Sequence, residues 1–127
     1  MASDSLVELE QKSKYETVFS AEEEKVFLLD LKYPIDQGTD IFFYSFVSMG
    51  VVNLYANVYS EKNNRVPDED EHDFKLHHQQ MIEIDKIKDI IEEEGMDEHN
   101  NIYLYIVGQA LNDAKISMEF LFEEKDT

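Results

Sequence analysis

The run Asp68-Glu69-Asp70-Glu71-His72-Asp73, with His77 and His78 just after it, gathers the side chains of this sequence best suited to holding a cation. Calcium takes several oxygen ligands at once, so Asp68, Asp70 and Asp73 are the candidate donors. The run does not fit an EF-hand. Counted from Asp68, the sixth position is Asp73 where glycine makes the turn, and the twelfth is Gln79 where a bidentate glutamate closes the shell. A less regular calcium site and a solvated acidic loop are both open readings. Zinc accepts histidine mixed with carboxylates, but adjacent His77 and His78 point to opposite sides of an extended chain, a poor geometry for joint ligation. His72 and His77 read as facing water, and His99 stands apart from them.

Covalent catalysis needs a nucleophile beside a base. There is no cysteine, no serine in a G-x-S-x-G elbow, and no P-loop or G-x-G-x-x-G to hold a nucleotide. Glu92, Glu93 and Glu94 form a polar helix end with nothing apolar beside them to separate their pKa values. The expectation is therefore a protein that is not an enzyme and has no cofactor, with calcium left open. Tyr55 and Tyr59 alternate with Asn53 and Asn57, a pattern that sugar-binding sandwiches use for stacking beside amide hydrogen bonds. Cross-strand packing explains the same aromatics.

The elements that carry these residues are mostly strands. Residues 14–19 alternate as a short edge strand, and 25–33 form a strand that Pro34 stops. The segment "PIDQGTD" reads as a turn. Residues 40–50 are apolar on both faces, as in a central strand. Gly50 then turns the chain into 51–60, where Val52, Leu54, Ala56 and Val58 face the core, and this pair is the strongest hairpin signal. Residues 61–80 are loop by composition, and 81–84 could be a strand. A short helix over 85–98 has Asp85 as N-cap, an Ile87, Ile90, Ile91 stripe and Gly95 at its C-cap. Residues 101–109 and 115–122 close the chain as a second hairpin through "ALND". The total is about seven strands with sandwich-like turn spacing.

With 127 residues the chain has the length of one domain, and 43% hydrophobic residues are enough for a core. Twenty-nine acids against 11 bases give a formal charge of -18, which repels phosphate backbones and anionic lipid, so nucleic acid and membrane are not expected partners. Residues 61–100 hold 14 of those acids, whereas 31–60 carry only Lys32, Asp36 and Asp40. That concentration points to a protein partner with a basic patch, met by Asp68, Glu69, Asp70 and Glu71. Oligomeric state is not legible.

Three blocks resemble the bacterial pre-peptidase C-terminal domain, a small jelly-roll-like β-sandwich appended to secreted enzymes. They are "LVELEQKSKYETVFSAEEEKVFLLDL", "DIFFYSFVSMGVVNLYANV" with Gly50, Val52, Asn53, Leu54 and Tyr55, and "NIYLYIVGQALNDAKISMEF" with Tyr103, Ile106, Gly108, Ile116 and Met118. Residues 60–101 are longer and more helical than that family's middle. The resemblance implies a non-catalytic accessory module in an extracellular setting and no site residue. The opening residues show no signal-peptide pattern, which favours the alternative, an intracellular structural subunit of a larger assembly. The expected architecture is a mainly β, antiparallel, jelly-roll-like sandwich over residues 1–127, with an acidic loop and one short helix inserted over 61–100. Its expected role is partner recognition through the acidic surface, and a calcium- or carbohydrate-binding sandwich is the further alternative.

Overall fold

Alternating apolar residues build nine strands in two sheets, and the computed structural model describes them over residues 6–62, 65–97 and 101–123. The strands are β1 (Leu6–Leu9), β2 (Tyr15–Phe19), β3 (Glu24–Asp30), β4 (Asp40–Met49), β5 (Val52–Tyr59), β6 (Phe74–Leu76), β7 (Gln79–Ile82), β8 (Tyr103–Ala110) and β9 (Ala114–Glu123). One sheet has the order β1-β3-β8-β5-β6 and the other β2-β9-β4-β7. All the ladders are antiparallel except β1 with β3. The inward rows meet between the sheets. Phe19, Phe27, Phe43, Phe120, Ile41, Leu104 and Ile106 are each at most 1% exposed there. The sandwich is as expected, and β4 is a central strand, between β9 and β7.

Neither expected hairpin forms. β4 and β5 lie in different sheets, as do β8 and β9. Across the fold, β4 pairs with β9 and β5 with β8. Two long ribbons thus fold over together, so that the apolar rows of both halves face each other across the interior instead of sharing one sheet face. The sequence pairs β2 with β3 and β6 with β7 in the same way, and each pair also crosses between sheets. Four crossings therefore lie toward one end; β2–β3, β4–β5 and β8–β9 are bonded to one another, and β6–β7 is bonded to the side of β4. Glu22 N donates to Ala110 O at 3.0 Å, Leu111 N to Val51 O at 3.0 Å, and Ser45 N to His78 O at 2.8 Å. Asn112 Oδ1 accepts from Val51 N, and Asp113 Oδ1 from Ala21 N, each at 2.9 Å. Gly50 sits at φ 76°, and a Cβ there would run into the Asp113 carbonyl.

Two helices attach at the opposite end. The expected turn after Pro34 is α1 (Lys32–Gln37), because a proline in the first turn removes only an N–H that has no helical partner. The second helix, α2 (Ile84–Glu93), starts one residue earlier than expected. Glu83 occupies the N-cap without a side-chain bond, Asp85 falls in the first turn, and Asp40 Oδ1 of β4 accepts from Ile84 N at 3.0 Å. It ends at Glu93 with Glu94 as its C-cap, short of the expected 98, and the expected glycine stop comes one residue after the cap. Gly95 is left-handed at φ 67°, and Met96 N donates to Ile91 O in a Schellman arrangement. Ile84, Ile87 and Ile91 are buried and Ile90 partly so. The stretch expected to be loop over 61–80 also contains β6 and the start of β7. Phe74 and Leu76 extend the five-stranded sheet, and Leu76 is buried.

Candidate functional site

The acidic run is strapped to the outer face of the five-stranded sheet. Asn57 of β5, 5% exposed, holds both ends of the loop. Its Nδ2 donates to Arg65 O at 2.8 Å, and its Oδ1 accepts from Asp73 N at 2.7 Å. Arg65 forks onto Asp73 with Nη1 to Oδ2 at 2.8 Å and Nη2 to Oδ1 at 3.0 Å, and Nη1 also donates to Val58 O. Asp73 Oδ2 accepts from Val58 N as well, at 2.9 Å. Arg65 Nε lies 3.4 Å from Glu94 Oε1, which links the loop to the end of α2. The hydrogen bonds to Asp73 are the main cause that lifts the Arg65 pKa further above its ordinary value.

This arrangement separates the three calcium candidates. Asp73 is committed to Arg65, and Asp68 Oδ1 accepts from Asp70 N and Glu71 N in a turn of its own. Among the described residues no three His, Asp or Glu side chains gather as a metal site. His72 packs on Tyr55, ring centroids 5.1 Å apart, while His77 and His78 are exposed at the β6–β7 crossing. His99 lies outside the described residues. Glu69, Asp70 and Glu71 are exposed and form no ion pair among the described residues.

The four residues read as a sugar platform do not form an open one. Tyr55 and Asn57 are buried beneath the loop, and Tyr59 packs on Tyr105 at 4.8 Å. Burial, then the nearby charges of Glu69 and Asp70, raise the Tyr55 pKa above 10.0. Burial likewise raises that of Tyr105.

The outer face of the four-stranded sheet is where sequence reasoning missed a surface. Phe42, Tyr44 and Phe46 run along β4 on the side away from the core. Phe42 stands between Leu121 and Met81, Tyr44 between Glu119 and Gln79, and Phe46 beside Ser117, with Glu16 next to Ser117 on β2. Phe42 and Tyr44 stack at 6.4 Å. No described segment covers this row, and Phe46 is 67% exposed, with Val18 at 57% and Met81 at 46%. Contiguous apolar patches on a protein surface often mark interaction sites. The signal was present in the alternation of Phe42, Tyr44 and Phe46 with Ile41 and Phe43, which marks two apolar faces where the sandwich buries one.

A cleft of about 410 Å³ opens at the helical end, between β1, the end of β3 and α1. Leu9 and Leu29 form its floor, and Tyr33 stacks on Phe122 at 6.0 Å with the rings 13° apart. Glu10, Asp30, Lys32 and Asp36 stand at its rim, where Lys32 Nζ lies 3.4 Å from Asp36 Oδ2.

Among the described residues no helix is long and apolar enough to cross a membrane. No family model matches the chain, and no curated protein or solved structure matches it either.

Proposed function

We propose that this sandwich is a non-catalytic binding module whose partner is a protein carrying an apolar patch with a basic rim. The observation that supports the reading best is the contrast between the two sheets. The chain lays its own loop over β5 on the outside of one sheet, while on the other the row Phe42, Tyr44, Phe46 runs from half-buried to 67% exposed at Phe46. Glu16 and Glu119 flank that row, and the acidic loop lies on the opposite face of the sandwich. Aromatic anchors supply most of the affinity at such interfaces, and surrounding charge selects and steers the partner. A second copy of the chain is a poor occupant, because each copy brings a charge of -18 to the contact. A role as an accessory module of the pre-peptidase C-terminal kind fits this reading, as does a place in a larger assembly.

The test is retention of a basic protein from extracts of the source cells by the immobilised chain. The Phe46→Ser and Tyr44→Ser double variant should retain at least tenfold less, since losing two interface aromatics costs about 2–4 kcal/mol. Raising salt from about 0.05 to 0.5 M should weaken retention further. Retention indifferent to both changes, or gel filtration showing the wild type as a dimer that the double variant abolishes, sinks the proposal.

A further inference from the structure

The cleft between β1, β3 and α1 shares no residue with the aromatic face, and its chemistry is distinct. Its floor is aliphatic, from Leu9 and Leu29, and Leu29 is 1% exposed. One wall is the stacked pair Tyr33 and Phe122, and Tyr33 is 45% exposed, so its ring is open to an incoming group. Its volume of about 410 Å³ falls within the range of small-molecule sites. Three of the four charged rim groups are carboxylates: Glu10, Asp30 and Asp36.

We infer that this cleft binds an organic ammonium with an apolar body. The body rests on Leu9 and Leu29 and against Tyr33, while the cation meets Asp36 and Asp30 and the negative face of the aromatic pair. Lys32 Nζ lies 3.4 Å from Asp36 Oδ2 at the rim. That pair is largely exposed, so a ligand ammonium that also gains the apolar floor and the tyrosine ring can take the place of the lysine. An anion of the same shape would face a rim with more carboxylates than bases and is disfavoured. The shared chemistry covers both a free amine and a lysine side chain reaching in from a partner. The inference does not depend on the function proposed above.

Binding is read from chemical shifts on the full chain, with phenethylammonium, 3-phenylpropionate and 2-phenylethanol as probes of nearly equal shape. Phenethylammonium should shift the signals of Leu9, Leu29, Tyr33 and Phe122 with millimolar affinity. Phenylpropionate should bind about tenfold more weakly, as the like-charged rim predicts. Tyr33→Ala and Asp36→Asn change exposed positions and should each weaken the ammonium several-fold, while Lys32→Gln should tighten it. A blocked lysine amide tested beside phenethylammonium distinguishes a side chain from a free amine, since the lysine lacks the aromatic body. Tighter binding of the lysine amide assigns the cleft to a partner's side chain, and tighter binding of phenethylammonium to a free amine. Equal binding of the anionic probe, shifts located elsewhere, or no saturation overturns the inference. Shifts confined to Phe42, Tyr44 and Phe46 would overturn it while leaving the aromatic face in place as a docking surface.

Discussion

At the scale of single residues, the fate of Asp73 shows how far composition can mislead. In the sequence it is one carboxylate among several, in an acidic run that reads as a solvated loop before it reads as a ligand set. In the fold its side chain is only 12% exposed and receives three N–H donors, two from Arg65 and one from Val58. Removing one member of a largely buried charged pair leaves the other without a counter-charge. Asp73→Ala should therefore lower unfolding stability by about 2 kcal/mol, a value discounted for the partial exposure of Arg65. Glu71→Ala, two residues away and exposed, should change it by less than about 0.5 kcal/mol. Urea denaturation of the two variants checks the contrast, and similar losses would show that the loop is not pinned through Asp73. Nothing in the order of residues from 65 to 73 distinguishes the buried carboxylate from the exposed ones. The difference comes from Asn57 and Val58, which belong to a strand that the sequence places a loop away.

At the scale of elements, seven of the nine strands were legible, whereas β1, β6 and the pairing of strands were not. The alternation over 14–19, 40–49, 52–59 and 103–123 located those strands to within a residue or two, because burial of one sheet face imposes a period of two on the side chains. The same alternation is silent on which strand lies alongside which. A short link at Gly50 suits a hairpin as well as a crossing between sheets, so both expected hairpins were wrong for one reason. The helix beginning at Lys32 was hidden similarly, since a proline that ends a strand is also welcome in a helix's first turn. Gly50 is where the crossings can be tested. A side chain there would be strained at φ 76° and would press on Asp113 O and Ala114 Cα of the neighbouring crossing. Gly50→Ala should cost at least about 2 kcal/mol, more than the strain of a left-handed alanine alone. Thermal or urea unfolding measures it, and a loss under about 1 kcal/mol would mean that the crossings are not packed against one another.

At the scale of the whole molecule, charge and surface pull in different directions. A formal charge of -18 on 127 residues keeps copies apart and strains the folded chain by self-repulsion. Salt screens that repulsion, so the melting midpoint should rise when sodium chloride goes from about 0.01 to 0.5 M. Partner binding should weaken over the same range. A midpoint that fell would mean that attractive pairs such as Arg65 with Asp73 outweigh the net repulsion. The acidic character was plain from composition. The cleft was not, because it is assembled from strands and a helix far apart in sequence, and the aromatic row was written in β4 without a sign of which face the sandwich would leave outside.

The folded-over ribbons also bear on how the chain reaches its structure. Of the ladders in the two sheets, β5 with β6 is the only one among the described residues that joins strands adjacent in sequence. β4 must find β9, and β2 must find β9 as well, with most of the chain in between. Chain entropy is lost before such distant contacts can reward it, and the three-residue pairing of β5 with β6 is little to build on, so folding will be slow for a domain of this size. During that delay the Phe42, Tyr44, Phe46 row is exposed on strands that have not yet found their neighbours. The heavy negative charge then has a second use, holding unfinished chains apart until their own strands meet.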